Sequence, residues 1–220
     1  MRINQFIAAA TGVSRRQADK LITGTKVLIN GLPAKLTDHV TARDKVFMGK
    51  KQLFLPTGST LVMLNKPVDY VCSRNGQGSK TVYDLLPEEL HHLKPVGRLD
   101  KDSSGLLLLT DDGQLAHELT HPKFHKDKVY KVDLSRALSE TDQKKLSDGI
   151  QLEDGESKMK LIPLNDTRRR WQVTIAEGRN RQIRRTFASL GYTVTTLHRT
   201  QFGEFHLGSL RGYKVTKVND

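Results

Sequence analysis

One aspartate-rich turn, residues 100–105, has the composition of a catalytic loop. Asp and Ser side chains hydrogen-bond to nearby backbone groups and Gly accepts a positive φ, so this run predicts an exposed loop. Residues 106–109 are four leucines, an apolar run typical of a strand buried on both faces. A carboxylate held on such a base is ordered and accessible, as a nucleophile or general base must be. On composition alone, Asp100 and Asp102 fit that role equally well, and a plain structural turn without catalytic function explains the same composition.

A second motif could bind zinc, because His117, Glu118 and His121 have the H-E-x-x-H spacing, and Glu140 could supply a third ligand. This site needs both histidines on one continuous helix. Pro122 follows His121 directly, and the residue before a proline is disfavoured in the helical region. We therefore expect His121 to end the helix, and the sequence predicts no metal site.

Residues 177–185 contain four arginines and begin a predicted helix over 181–190. Ile183, Phe187 and Leu190 form its apolar stripe, with spacings of four and three residues. On the helical wheel Arg184 lies at the edge of that stripe, whereas Arg181 and Arg185 point away from it. An arginine at the edge could enter a half-buried cleft and favour the charged form of a nearby carboxylate. Alternatively, all four arginines bind phosphates.

Composition places the chain among basic proteins. Its 220 residues include 36 Lys and Arg against 24 Asp and Glu, a formal net charge of +12. Such an excess favours polyanions, because neutralising phosphates releases counterions. The single cysteine, Cys72, excludes an internal disulfide and fits a reducing compartment. The longest aliphatic run is far below the ~20 apolar residues of a membrane span, and no secretory leader is visible. We expect a cytoplasmic protein without a membrane partner.

Positive charge is concentrated in residues 1–57, where ten Lys and Arg face three Asp, a net of +7. Ser14 and Gln17 form a capping box that predicts the start of a second short helix, ending at Gly24. The Asn-Gly pair at residues 30–31, between apolar residues, predicts a hairpin. The basic face of the second helix consists of Arg15, Arg16 and Lys20. We read it as an RNA-binding surface, with a plain solvated helix face as the alternative.

Residues 54–60 interrupt the pattern with Pro and Gly and are interpreted as a linker. Beyond it, residues 61–64, 129–134 and 171–175 are predicted strands. Helices are scattered among them without regular alternation, which favours an α+β fold with a mainly antiparallel mixed sheet. We therefore divide the chain into domains 1–57 and 58–220.

Four segments occur in the order and spacing of the motifs of a known enzyme family. Residues 64–67 (Leu-Asn-Lys-Pro), 97–110, 177–185 and 196–199 resemble the pseudouridine synthases that modify ribosomal RNA, and residues 1–50 resemble an S-four-type RNA-binding domain. The resemblance implies a small helix–helix–hairpin domain followed by a pseudouridine synthase catalytic domain. It implies an isomerase that needs neither cofactor nor metal, because the reaction oxidises nothing and releases nothing.

The resemblance also assigns roles to individual residues. Asp100, rather than Asp102, is expected to be the catalytic nucleophile, and Tyr130 to stack on the target base and accept a proton. The sequence leaves open whether Asp100 attacks the sugar or the uracil ring, or chiefly stabilises a sugar cation. Arg184 is expected to form an ion pair with Asp100, with Arg179 as the alternative. The remaining expected contacts to RNA or to the flipped nucleotide are Arg98, Lys66, Arg179, Arg181, Arg185 and Leu197, together with the basic face of the first domain.

The expected substrate is a uridine of small-subunit ribosomal RNA, because residues 1–8 and 12–15 most resemble the small-subunit enzymes. The arginine-rich motif is equally close to relatives that act on the large subunit, so that target stays an alternative. A protein that binds ribosomal RNA without catalysis is a second alternative, and a zinc protease is a third. We expect a monomer.

Overall fold

The computed structural model describes residues 1–24 and 26–218. The chain divides into two compact units. The smaller unit consists of Met1–Leu61, with the short segment 111–113 and the described residues from Thr216 onward. The larger unit consists of Val62–Thr110 and Gln114–Val215.

The smaller unit begins with helices α1 (Ile3–Thr11) and α2 (Arg15–Thr23). The predicted capping box of α2 is confirmed. The Ser14 hydroxyl accepts from the Gln17 backbone N–H at 3.2 Å, and the Gln17 side-chain oxygen accepts from the Ser14 N–H at 2.9 Å. Gly24 follows as the C-cap, as its position predicted. Local sequence therefore fixes both ends of the helix that carries the basic face.

A four-stranded sheet completes this unit. Its strands are β1 (Val27–Ile29), β2 (Leu32–Pro33), β3 (Val46–Met48) and β4 (Lys51–Leu53), in the order β2-β1-β3-β4. The predicted Asn-Gly hairpin joins β1 and β2. Asn30 and Gly31 both have positive φ, 51° and 87°, as a tight two-residue hairpin turn requires. The two helices and the sheet enclose a separate core that includes Ile3, Ile7 and Ala18.

With three exceptions, the remaining elements lie wholly in the larger unit. In chain order they are β5 (Ser59–Lys66), β6 (Lys94–Val96), β7 (Ser104–Thr110), α3 (Gly113–Thr120), β8 (Lys128–Leu134), α4 (Glu140–Asp148), β9 (Ile150–Leu152), β10 (Gly155–Ser157), β11 (Lys160–Pro163), β12 (Arg170–Ile175), α5 (Gln182–Ala188), β13 (Val194–Phe202), β14 (Phe205–His206) and β15 (Tyr213–Val218). The exceptions are β5, α3 and β15, each of which has an end in the smaller unit. Short 3₁₀ helices span Val82–Leu85, Glu88–Leu90 and Pro122–Phe124.

Nine strands form one mixed sheet in the order β11-β12-β8-β13-β7-β5-β15, with β14 beside β13 and β6 beside β7. The pairs β11/β12, β12/β8, β8/β13 and β6/β7 are antiparallel, whereas β13 and β7 run parallel. The predicted α+β class with a mainly antiparallel mixed sheet is confirmed. β9 and β10 form a separate two-stranded hairpin.

Burial follows the predicted patterns. The four leucines of β7 are completely buried, which confirms a strand covered on both faces. Alternate residues of β8 and β12 are buried, as expected of strands with one covered face. Two boundaries differ from the prediction: β5 begins at Ser59, inside the expected linker, and α5 covers only Gln182–Ala188. No helix in the described part of the chain is long and apolar enough to cross a membrane.

Candidate active site

The larger unit contains a cavity of about 250 Å³ next to the aspartate loop. Segments that are distant in the sequence form its wall: the loop itself, β8, the turn before α5, and β13. Of the residues that the sequence pointed to, six line this cavity: Arg98, Asp100, Tyr130, Arg179, Arg181 and Leu197. The fold therefore brings the loop, the strand tyrosine and the arginine-rich motif to one place.

The aspartate loop is anchored by groups that precede and underlie it. Cys72 Sγ lies 3.3 Å from the Leu99 carbonyl oxygen and 3.4 Å from the Leu99 nitrogen. The Asp69 N–H donates to the Lys101 carbonyl at 2.7 Å, and the Ser103 N–H closes the turn onto the Asp100 carbonyl at 3.1 Å. These bonds hold the backbone of Asp100 while its side chain stays about one-third exposed. The carboxylate is therefore ordered and accessible, as its proposed use requires.

Lys66 lies beneath the loop and is completely buried. Its ammonium donates to the Ser103 carbonyl at 2.7 Å and to the Pro67 carbonyl at 2.9 Å. Burial lowers the pKa of Lys66, and the nearby Cys72, Asp100 and Asp102 oppose that shift. The expectation that Lys66 contacts RNA is therefore wrong for this geometry, because no part of its side chain reaches the surface. Lys66 supports the aspartate loop from below.

Arg181 is the arginine whose side chain approaches Asp100. Its Nη1 lies 3.5 Å from Asp100 Oδ2. In the described part of the chain, this is the ion pair that the Asp100 carboxylate forms. We expected Arg181 to point away and Arg184 to make this pair. The helix begins only at Gln182, and Arg181 is the preceding cap residue with a left-handed backbone, φ 46°. Its side chain therefore does not follow the helical wheel and turns toward the loop.

Asp102 has a different environment from Asp100. Arg181 donates to both of its carboxylate oxygens, at 3.0 and 2.9 Å, and Arg184 Nε lies 3.3 Å away. The hydrogen bonds from Arg181 lower the pKa of Asp102. Arg184 is largely buried, as predicted, but it donates to the Asp102 and Val194 carbonyls at 2.8 and 2.7 Å. It therefore ties the loop to β13 and makes no ion pair with Asp100 within 4.0 Å among the described residues.

Arg179 and Arg185 are occupied by the β9–β10 hairpin. Arg179 donates to the Asp154 carboxylate at 2.9 Å and the Glu177 carboxylate at 3.0 Å, besides the backbone carbonyls of residues 154–156. Arg185 donates to both Asp154 oxygens at 3.1 and 2.6 Å. The pKa of Asp154 is lowered, mainly by the hydrogen bonds from Arg185. With both Nη groups used in this way, Arg179 makes no ion pair with Asp100 among the described residues, although it lines the cavity.

The apolar side of the cavity comes from two strands. Tyr130 of β8 and Leu197 of β13 are both buried, and both face the cavity. Arg98, two residues before Asp100, is exposed at the cavity edge. An apolar wall, an exposed cation and an accessible carboxylate together form a site that can accept a flat, uncharged ring attached to an anionic chain.

Three charged or aromatic cavity residues were not expected from the sequence: Lys128, Arg199 and Phe202. Lys128 could have been found, because it precedes Tyr130 by two residues and side chains two apart share one face of a strand. Arg199 follows Leu197 by two residues and faces the cavity for the same reason. Phe202 breaks this alternation, because a register shift between Arg199 and Gln201 turns the strand. Nothing in the sequence marks that bulge.

Arg15, Arg16 and Lys20 belong to the smaller unit, where all three are exposed on α2. Within the described residues none of them forms an ion pair. They remain available to an external anion, whereas the four arginines of the segment 179–185 are already paired with carboxylates.

The H-E-x-x-H motif does not have the geometry of a zinc site. Helix α3 ends at Thr120, and His121 is extended with φ −75° and ψ 130°, as Pro122 predicted. Its ring nitrogen accepts from the Lys123 N–H at 3.2 Å. Glu140 lies in α4 and pairs with Arg168 at 3.7 Å. The two histidines therefore do not share the continuous helix that this motif requires.

Comparison with known proteins identifies the family. Residues 60–189 match the RNA pseudouridylate synthase family, and residues 1–46 match the S4 domain. The chain belongs to the RNA pseudouridylate synthase family. It is therefore an isomerase, and the predicted family is confirmed.

The similarity covers almost the whole length of this synthase. It is 36% identical to the ribosomal small subunit pseudouridine synthase A of Yersinia pestis, over 94% of this chain and 89% of that protein. The protein of the same name from Haemophilus influenzae is 38% identical, over 93% and 89%. A crystal structure of a pseudouridylate synthase, 36% identical, superposes with a TM-score of 0.70 and covers 98% of this chain and 96% of that chain.

Proposed function

We propose that this synthase converts a uridine of small-subunit ribosomal RNA to pseudouridine, with Asp100 as the nucleophile. The observation that carries the proposal is that Asp100 shares one cavity with Tyr130, Arg181 and Leu197. These four residues come from four separate segments of the chain. The names of relatives that are 36% identical over nearly the full length support the choice of substrate.

The reaction breaks the bond between C1′ of the ribose and N1 of uracil, turns the base, and joins C1′ to C5. The enzyme must reach both the sugar carbon and the base edge, so the uridine has to leave its stack. Asp100 would act as carboxylates do at sugar centres, through a covalent intermediate. No electron acceptor is consumed and no atom is lost, so the proposal needs neither a cofactor nor a metal.

The other cavity residues take roles that follow from their positions. The ring of Tyr130 would stack on the flipped base and its hydroxyl would accept a proton, while Leu197 excludes water from the other side of the base. Exposed Arg98 would hold the backbone of the flipped nucleotide. Arg181, 3.5 Å from Asp100, would favour the charged carboxylate, and Arg184 would position the loop through Asp102.

The α2 face would dock structured RNA through phosphate contacts, which give affinity without sequence information. We propose that residues 1–57 serve this docking role and residues 58–220 the chemistry. We further propose a monomer that works in the cytoplasm, where a single unpaired cysteine, Cys72, stays reduced.

The decisive experiment maps pseudouridine in both ribosomal RNAs from cells with and without this gene. We expect one position of the small-subunit RNA to lose its modification. Loss from the large-subunit RNA alone would contradict the proposed substrate while leaving the reaction intact. If neither RNA changes while the purified chain still binds ribosomal RNA, the result would contradict the proposed reaction on ribosomal RNA. It would support the alternative of binding without modification.

A further inference from the structure

Two buried cations line the cavity beyond those that the proposed mechanism uses. Arg199 is 2% exposed and Lys128 is 9% exposed. Among the described residues, neither has a carboxylate within 4.0 Å. A buried charge without a partner is costly, and such charges collect where a ligand or a transition state supplies the opposite sign.

The fold holds the Arg199 side chain firmly in place. Arg199 and Gly105 are paired in the parallel contact between β13 and β7. Gly105 has φ 100°, and a Cβ there would overlap the Arg199 carbonyl, so only glycine permits this approach. Arg199 Nε donates to the Leu106 carbonyl at 2.7 Å, which fixes the plane of the guanidinium.

One nitrogen of the Arg199 guanidinium has no hydrogen-bond acceptor among the described residues. Arg199 Nη2 is buried and has no hydrogen-bond partner within the described residues, and the same is true of the Ser103 hydroxyl. Both residues line the cavity. Buried polar atoms without partners are rare in folded proteins, because each costs the full loss of its hydration. Arg179 Nε, which also belongs to a cavity residue, is a third such atom, and together the three point to a bound polar group that supplies the missing acceptors.

The surroundings leave the charge of this pair poorly compensated. The Arg199 guanidinium and the Lys128 ammonium lie 4.9 and 5.0 Å from the centre of the Phe202 ring. Burial lowers the pKa of Lys128, and the charge of Arg199 lowers it further. In such a poorly hydrated place an added negative charge is attracted far more strongly than in water.

We propose that Arg199, supported by Lys128, binds the uracil ring and stabilises the negative charge that develops on it during the reaction. This inference rests on the proposed function. When the C1′–N1 bond breaks, its electron pair stays on the base, and the charge spreads over N1 and the two ring oxygens. The charge is neutralised when C5 bonds to C1′ and displaces the Asp100 carboxylate. C5 then loses its proton and N1 gains one, so the net reaction is an isomerisation. A fixed cation at a ring oxygen lowers the energy of this intermediate without contributing equally to the binding of intact RNA.

The test is a single-turnover assay at saturating RNA, with whichever ribosomal RNA the wild-type enzyme modifies. A wrong subunit assignment therefore leaves the test intact. We expect Arg199→Ala to slow the reaction by at least about 100-fold while the Kd for RNA changes by less than about threefold. Millimolar guanidinium should restore part of the rate. Urea, which has the same shape and similar donors but no charge, should not.

Each contrary result has a clear meaning. Equal rescue by urea would show that Arg199 only fills space and bonds to Leu106, and would overturn the proposal. A raised Kd with an unchanged rate at saturation would make Arg199 a phosphate contact and would also overturn it.

Lys128→Met provides an independent arm if Arg199→Ala fails to fold. It keeps most of the side-chain stem and removes the charge. The matched control is Lys131→Met on the same strand, where the side chain is exposed. We expect Lys128→Met to slow the chemical step at least about tenfold with unchanged Kd, and Lys131→Met to leave the rate unchanged. Equal rates in the two variants would contradict a role for the buried pair.

Discussion

The synthase uses its basic residues in two opposite ways. On α2, Arg15, Arg16 and Lys20 are exposed, and in the described part of the chain they have no acidic partner. In the segment 179–185 every arginine is engaged: Arg181 with the aspartate loop, Arg184 with the loop and β13, and the other two with Asp154.

This difference separates basic residues that are free to bind RNA from arginines that stabilise the fold. A free surface cation can exchange its counterions for phosphates, so it contributes affinity that depends on salt. An arginine whose donors are already used contributes order instead, because its planar fork fixes two chain segments at once. Clustering of positive charge in a sequence therefore does not by itself identify an RNA-binding surface.

The largest expected effect concerns Asp100, the carboxylate beside Arg181. Asp100→Asn keeps the size of the side chain and removes the nucleophile, so the rate should fall by more than about 10⁴-fold with the Kd for RNA nearly unchanged. Asp102→Asn is the control, since its carboxylate anchors the loop, and we expect less than about tenfold. The readout is pseudouridine formed per enzyme. Comparable losses in both variants would show that the loop, and not Asp100, carries the effect.

A second comparison separates the two arginines nearest the loop. Arg181→Met removes the cation 3.5 Å from Asp100, and we expect the rate at saturating RNA to fall about 100-fold. Arg184→Met removes bonds to the Val194 and Asp102 carbonyls, so it should lower Tm and reduce the rate only about tenfold. If Arg184→Met proved the slower enzyme at unchanged Tm, Arg184 would be the partner of Asp100, as the helical wheel predicted.

RNA binding by the basic face of α2 is tested by a triple variant in which Arg15, Arg16 and Lys20 are all replaced by Gln. Each lost phosphate contact should reduce the slope of log K against log salt by about 0.7 to 0.9, and the Kd should rise roughly 10- to 100-fold at moderate salt. The rate at saturating RNA should stay at the wild-type value. Arg185→Met is the matched control from the paired segment. A drop of about 0.7 to 0.9 for Arg185→Met, the value of one lost phosphate contact, would end the distinction between the two groups.

The smallest expected effect tests whether the paired arginines stabilise the fold. Asp154→Asn removes the carboxylate shared by Arg179 and Arg185, and we expect Tm at pH 7 to fall by about 2 to 4 °C. The pKa of Asp154 is below its ordinary 3.8 in the folded protein, so its stabilising effect is present above pH 3.8 and is lost as the pH falls through the folded value.

The Tm difference between wild type and Asp154→Asn should therefore narrow as the pH is lowered below 3.8. Glu153→Gln, a neighbouring change in the same hairpin turn, provides the control and should not alter Tm. A difference that stays constant down to low pH would show that these ion pairs do not contribute to stability.

The parts of the structure that local rules determine could be predicted from the sequence. The box at Ser14 and the turn at residues 30–31 depend on groups within three residues of each other, and both are confirmed. The leucines of β7 are buried as their run predicts. Asp100, Tyr130 and Leu197 were found because their motifs have a recognisable order along the chain.

The parts that depend on distant contacts could not be predicted. The helical wheel misplaced Arg181 because the helix begins one residue later, and no residue type marks a left-handed cap at an arginine. Lys66 has the appearance of a surface cation, and only the fold shows that it is completely buried under the loop. The bulge before Gln201, which brings Phe202 to the cavity, depends on the pairing of β13 with β8.

The bond between Arg199 Nε and the Leu106 carbonyl joins residues that lie 93 positions apart. Contacts of such long sequence separation form late in folding, because the intervening chain must first be ordered. During synthesis β13 leaves the ribosome long after residues 1–53. The core of the smaller unit lies within the first 53 residues and can therefore form much earlier. We therefore expect a nascent chain to acquire its RNA-binding face well before its catalytic cavity, so that a truncated product could occupy RNA without modifying it.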